Sequence, residues 1–307
     1  MNWPLNQSMQ LTQKQAGKRP LRVIGFTALI NFLGLLLALI ISLFLIGPLI
    51  YMKFGDSLST EDVEQALLNE PIMVYSELFL TITTIIATLL LAKWLQGRKL
   101  NSFAFYKDNF LKKYGLGIVI AAALMIITFL ANLLMGTITV QINPQADGLA
   151  FILLLIGFMV QGMSEEILLR GYLMNGLAAA WGVPLAILIN SIFFSLLHYA
   201  NPGITVLALV NIALAGIFFS LLFYITDNMW LTGAAHSFWN FIMGVVFGVQ
   251  VSGLVLPGTL LITESKAEAS LINGGDFGFE GGLVVTIILI IACIYLISKR
   301  PKELKVI

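Results

Sequence analysis

Charge is what this sequence has least of. Asp, Glu, Lys and Arg make up 11% of the 307 residues, against roughly a quarter in soluble domains, and 59% are hydrophobic. An ordinary soluble domain is excluded, and the expectation is a polytopic membrane protein whose structural unit is a bundle of spanning helices. Cysteine is nearly absent. The single Cys293 lies inside an apolar run, so there is no disulfide framework and no thiolate cluster for metal or redox chemistry. No Lys/Arg cluster with interleaved aromatics exists that could follow a phosphate backbone, and the net charge is only +1, so nucleic acid is not an expected partner. Neither an HExxH nor a GxSG string occurs. Residues 1–23 are too long and polar for the opening of a cleaved signal, and the apolar run after them is too long for a signal core, so the first span is expected to be retained.

What is present in quantity is long apolar runs. A spanning helix needs ~20 mostly apolar residues, and eight candidates stand at about 24–51, 71–92, 115–140, 149–169, 183–200, 203–226, 229–250 and 282–298. The fold class expected is all-α, a bundle of about eight transmembrane helices. It divides into a cytoplasmic tail (1–23), helices 1–3 (24–148), a catalytic core of helices 4–7 (149–250), and an outer loop, helix 8 and cytoplasmic tail (251–307). With the N-terminus inside, fifteen of the seventeen Lys and Arg residues fall on the inner side, Arg170 among them, and only Lys53 and Lys266 fall outside. Both termini are therefore expected to be cytoplasmic. The outer loops 53–70 and 251–281 carry glycines and acidic residues that suit mobile segments.

The few charges inside the apolar runs are concentrated. "MSEEILLR" (163–170) puts two carboxylates and a guanidinium into a span. Such groups are costly there unless compensated, which makes them a functional-site hypothesis. Residues four apart share a helix face, so Glu166 can reach Arg170 while Glu165 points elsewhere. The chain's only histidines also lie in spans, His198 in "FFSLLHYANPG" and His236 in "GAAHSFWNFIMG", the latter with Asn240 one turn on. If spans four and five form a hairpin turning at Gly182, Glu165 and His198 stand level, ~25 Å along their helices. That requires helix four to continue through "GYLMNGLAAAW".

"EEILLR", "FSLLH" and "HSFWN" together resemble the EExxxR, FxxxH and HxxxN motifs of the CAAX protease and bacteriocin-processing family, also described as type II CAAX prenyl endopeptidase or lysostaphin-resistance protein A-like. The resemblance covers roughly residues 150–245. It implies an intramembrane endopeptidase with Glu165 as base, His198 as its partner, and His236 and Asn240 at the oxyanion. Glu166, Arg170 and Phe194 fill the remaining motif positions, and no cofactor is implied. The expected partners are the lipid bilayer and a peptide or protein substrate, and the expected location is a bacterial plasma (inner) membrane.

Elementary chemistry agrees with those roles. Peptide hydrolysis needs a water deprotonated as it attacks and donors where negative charge develops on the carbonyl oxygen. A carboxylate in a low-dielectric cavity is a better base than a solvated one. Three other readings compete. Two histidines and a glutamate (His198, His236, Glu165) are also the ligand set of a catalytic Zn2+ with an open position. A serine protease would use Ser164 or Ser237 but leaves the acidic pair unexplained. A non-catalytic immunity, scaffold or proton-coupled transport protein is the alternative of a different class.

Overall fold

The computed structural model describes residues 3–54, 70–301 and 303, so most of the 53–70 loop, Lys302 and Lys305 lie outside the described residues. A short helix α1 (Gln7–Ala16) precedes α2 (Pro20–Leu45), α3 (Gly47–Phe54), α4 (Pro71–Leu80), α5 (Ile82–Gln96) and α6 (Phe110–Leu134). Then come α7 (Gly148–Glu166), a π-helical segment (Ile167–Met174), α8 (Asn175–Trp181), α9 (Val183–Leu197), α10 (Val206–Thr226) and α11 (Met229–Phe241). A second π-helical segment (Ile242–Val246) follows α11, and α12 (Leu283–Ser298) ends the bundle. Strands β1 (Ile138–Ile142) and β2 (Leu261–Ser265) pair antiparallel, Ile138 opposite Ser265, in a two-stranded ribbon.

Among the described residues five stretches are long and apolar enough to cross a membrane: Pro20–Met52, Pro71–Gln96, Phe110–Leu134, Gly148–Trp181 and Val206–Thr226. Val183–Leu197 and Leu283–Ser298 are shorter apolar helices. With α11 and its π continuation these occupy, in order, the eight expected segments. The chain is an all-α, multi-pass integral membrane protein.

Helix boundaries follow side-chain caps. Asp147, Thr205 and Asn228 each accept from a backbone N–H in the first turn of α7, α10 and α11, at 2.8, 3.1 and 3.0 Å, meeting donors that no helix can satisfy internally. α11 lies at the centre, packed on α6, α7 and α10, and eleven of its thirteen residues are buried. Glycines allow the closest approaches. A Cβ on Gly162 would lie 2.7 Å from Ser237 N, and one on Gly216 would lie 2.9 Å from Ser191 Cα, so α7 meets α11 and α10 meets α9 at backbone distance. Asn190 donates to Ser220 Oγ (2.9 Å) between α9 and α10, and Asn211 donates to Glu280 O (2.8 Å).

Four expectations change. The fourth span does not end at 169: the helix runs from Gly148 to Trp181, and Arg170 is fully enclosed in the bundle instead of sitting at its inner edge. The third span stops at Leu134 instead of 140, because Gly136 turns the chain at φ 67° and the β-branched "ITVQI" run enters the ribbon. Within the tail, α1 docks against α8, with Ser8, Met9 and Thr12 buried. Loop 251–281 is a packed cap in which Phe277, Phe279 and Glu280 are buried. Glu280 accepts from Trp239 Nε1 (3.0 Å) and Ser252 Oγ (2.7 Å), which fastens the cap to α11.

Candidate active site

The two neighbouring carboxylates have opposite surroundings. Glu166 has no solvent exposure, and its Oε1 accepts from Arg170 Nη1 at 2.8 Å and from His236 Nδ1 at 2.7 Å. The expected Glu166–Arg170 pair is present, and His236 joins it. Arg170 also donates to Gly216 O (3.2 Å), and its guanidinium lies over the rings of Phe194 (4.7 Å) and Phe219 (5.7 Å). The His236 ring stacks on Phe219, centroids 4.7 Å apart and 15° between planes, with Phe194 edge-on at 5.8 Å. Stacked on Phe219, met by Phe194 at a right angle and held at Nδ1, the imidazole has one free nitrogen.

That nitrogen, Nε2, lies 3.7 Å from Glu165 Oε2, and the Glu165 side chain is 24% exposed. The separation is too long for a hydrogen bond, and Oε2 has no protein partner. Glu165 Oε1 is held instead by Gln161 Nε2 at 2.6 Å, while Gln161 Oε1 accepts from Asn240 Nδ2 at 3.0 Å. A carboxylate can only accept, so the Gln161 amide has a single orientation that makes both bonds. The Glu165 carboxylate and the Asn240 carboxamide are thereby fixed to each other by one side chain.

His198 caps the end of α9, and its Nδ1 is 2.9 Å from Phe194 O. A carbonyl accepts, so Nδ1 carries the proton. Its ring meets Phe194 edge-on at 4.8 Å. Glu165, Gln161 and Asn240 thus form one bonded set and Glu166, Arg170 and His236 another, the two facing each other in one cluster across the 3.7 Å between Glu165 Oε2 and His236 Nε2. His198 joins the cluster through contact with Phe194, without a direct bond to Glu165. The zinc alternative requires His198, His236 and Glu165 around one point. Among the described residues no group of three His, Cys, Asp or Glu side chains is arranged to hold a metal, so the zinc ligand set is not preformed.

Gln161 and Phe219 escaped the sequence reading. Gln161 carried a usable signal, a polar residue in an apolar span one turn before Glu165 and hence on its face. Phe219 carried none, being one of 21 phenylalanines.

Both π-helical segments start beside this cluster, one directly after Glu166 and the other two residues after Asn240. Such widened turns are frequent at functional sites.

The fold and cluster define a helical membrane protein with a paired-carboxylate, histidine and carboxamide site enclosed in its bundle. Residues 147–242 match the family model described as type II CAAX prenyl endopeptidase Rce1-like. The match spans about a third of the chain, holds all three motifs, and supports the CAAX protease and bacteriocin-processing family and a CAAX-type intramembrane protease in general. No curated protein and no solved structure matches the chain.

Proposed function

We propose that this chain is an intramembrane endopeptidase that hydrolyses peptide bonds of membrane-associated or CAAX-like protein or peptide substrates, with Glu165 as the general base. The observation that carries the reading is the contrast between the carboxylates. Each has one oxygen without a partner, but Glu166 is wholly enclosed with Oε1 taking both Arg170 and His236, whereas the Glu165 side chain is partly exposed and its Oε2 faces the free His236 nitrogen. The first is suited to holding structure and the second to taking a proton.

A water seated against Glu165 Oε2 and His236 Nε2 would direct its two protons at two acceptors, since Nδ1 of His236 already donates to Glu166. Glu165 removes one proton as the water oxygen adds to the scissile carbonyl. The negative charge on the carbonyl oxygen is met by the Asn240 Nδ2 hydrogen not used by Gln161. Glu165 then returns its proton to the departing amine nitrogen, which leaves an acid and an amine and restores the base. The site lies about 10 Å along α11 from its start, at ~1.5 Å per residue, well inside the bundle. His198, with Nδ1–H tied to Phe194 O, presents Nε2 toward substrate as a positioning group.

We also place both termini on the cytoplasmic side of a bacterial plasma membrane. Arg170 leaves the charge tally because it is enclosed, and fourteen cations against two still favour that side. Membrane proteomics of cells carrying the wild-type chain or Glu165→Gln tests the activity. Precursors should accumulate with the variant, and identical peptide profiles would refute the proteolytic role.

A further inference from the structure

We propose a second ligand site, for the phosphate of an anionic, hydroxyl-bearing phospholipid headgroup, in the elbow between α1 and α2 where it meets the end of α5. It is independent of the proteolytic reading. A cavity of about 200 Å³ there is lined by Gln15, Arg19, Arg22, Val23, Leu95 and Gln96. Residues 1–55 and 78–107 contain no Asp or Glu. The helices that build the elbow therefore present cations alone: Arg19 and Arg22 at the cavity, with Lys18, Lys93 and Lys99 adjacent in the chain. No ion pair among the described residues engages either arginine. A guanidinium presents forked donors that match phosphate oxygens, and Arg22 is steadied 4.9 Å above the Phe26 ring.

The cavity's neutral groups are already fixed. Gln15 Oε1 accepts from Lys99 N at 2.9 Å, and Gln96 Nε2 donates to Tyr172 Oη at 2.6 Å. Gln96 Oε1 is left buried with no partner. It cannot bind an anion, but it can accept from a headgroup hydroxyl, which favours a glycerol-type headgroup over a bare phosphate. The surroundings also favour a lipid over a soluble ion. Leu21 (75% exposed) and Trp94 (69% exposed) flank the elbow, and the outward face of α2 continues with Leu29, Phe32 and Leu36, a surface for acyl chains. Basic pockets between spanning helices are known headgroup sites.

The test uses purified full-length protein in detergent, with native mass spectrometry against phosphatidylglycerol or phosphatidylcholine of identical acyl chains. Phosphatidylglycerol should be retained in preference. A cation beside an anionic lipid is worth about fivefold in affinity, so R19Q/R22Q should weaken phosphatidylglycerol by roughly 25-fold and leave phosphatidylcholine unchanged. Lys112 and Lys113, which line a separate cavity of about 470 Å³, provide the control, and K112Q/K113Q should retain the preference. Circular dichroism should show unchanged helicity in both variants. Equal retention of the two lipids, or equal loss in both variants, would overturn the site. Displacement of phosphatidylglycerol by inorganic phosphate at matching concentration would overturn the lipid in favour of free phosphate.

Discussion

His236 meets Glu166 Oε1 across 2.7 Å through Nδ1, and this bond decides which imidazole nitrogen faces Glu165. Because Arg170 shares the same oxygen, removing the carboxylate strands two buried groups together. Glu166→Ala should destabilise the bundle by about 3–5 kcal/mol, the range for a buried ion pair broken at one partner. Glu166→Gln, which keeps an acceptor oxygen, should cost less yet still lower turnover. Thermal unfolding in detergent beside a cleavage assay checks this, and equal stability of Glu166→Ala and wild type would refute the shared anchoring.

Gln161 joins Glu165 to Asn240 through bonds of 2.6 and 3.0 Å. A hydrogen bond to a charged group contributes about 1.5–3 kcal/mol, so Gln161→Ala should lower kcat roughly 10- to 100-fold with KM little changed. The effect should largely vanish in an Asn240→Ala background, because both substitutions disable one unit. Fully additive losses would show that Gln161 acts elsewhere.

Asn240→Ala should reduce turnover by ~10²- to 10³-fold, as loss of one oxyanion donor does, while leaving the fold intact. Glu165→Gln should abolish cleavage. Steady-state kinetics on a substrate found by the proteomic comparison distinguishes them. Comparable residual rates would move the base elsewhere.

In the proposed reaction Glu165 serves as base and Asn240 as oxyanion donor, so hydrolysis is expected to proceed without bound metal. Elemental analysis of active protein, with assays in strong chelator, is the check. Stoichiometric zinc, with activity lost on chelation and restored by metal, would promote the His198, His236 and Glu165 ligand set.

Asp227, at φ 44° between α10 and α11, accepts from Ser8 Oγ at 2.6 Å and Tyr106 Oη at 3.1 Å and so holds α1 in place. Burial pushes its carboxyl above the usual range, against hydrogen bonds from Ser8 and Tyr106 that pull it down. A raised native value means that the folded state binds the extra proton. The associated stability is present below about pH 3.9 and is lost as pH rises through the native value. Wild type should therefore lose stability relative to Asp227→Asn as pH rises from about 4 through that raised value. Unfolding temperatures of the two proteins give the difference directly, and a pH-independent difference would refute it.

The spans were legible because twenty apolar residues have one solution in lipid, and the Glu166–Arg170 pair was legible because helix geometry fixes which side chains share a face. The His236–Glu166 bond was not, since spacing within one helix says nothing of the azimuth of another. The ribbon was hidden because "TITV" follows the span with no charged residue between them, and only the turn at Gly136 separates them. The docking of α1 was hidden by composition, because "QSMQLTQKQA" buries serine and threonine hydroxyls through partners more than 80 residues away.

The eight-residue π segment after Glu166 carries a wider consequence. A π-turn behaves as a one-residue insertion, so it works as a phase shifter between two independent contracts of one long helix. On one side the helix must aim Glu165 and Glu166 at α11. On the other it must aim Asn175 at Ser8 and Ser102. Were Ile167–Met174 to relax into regular α-helix with no residue removed, one half would rotate against the other by about 100°. The docked end would keep α1 only by turning both carboxylates away from His236. The winding of this segment is thus a functional variable, separate from any side chain in it.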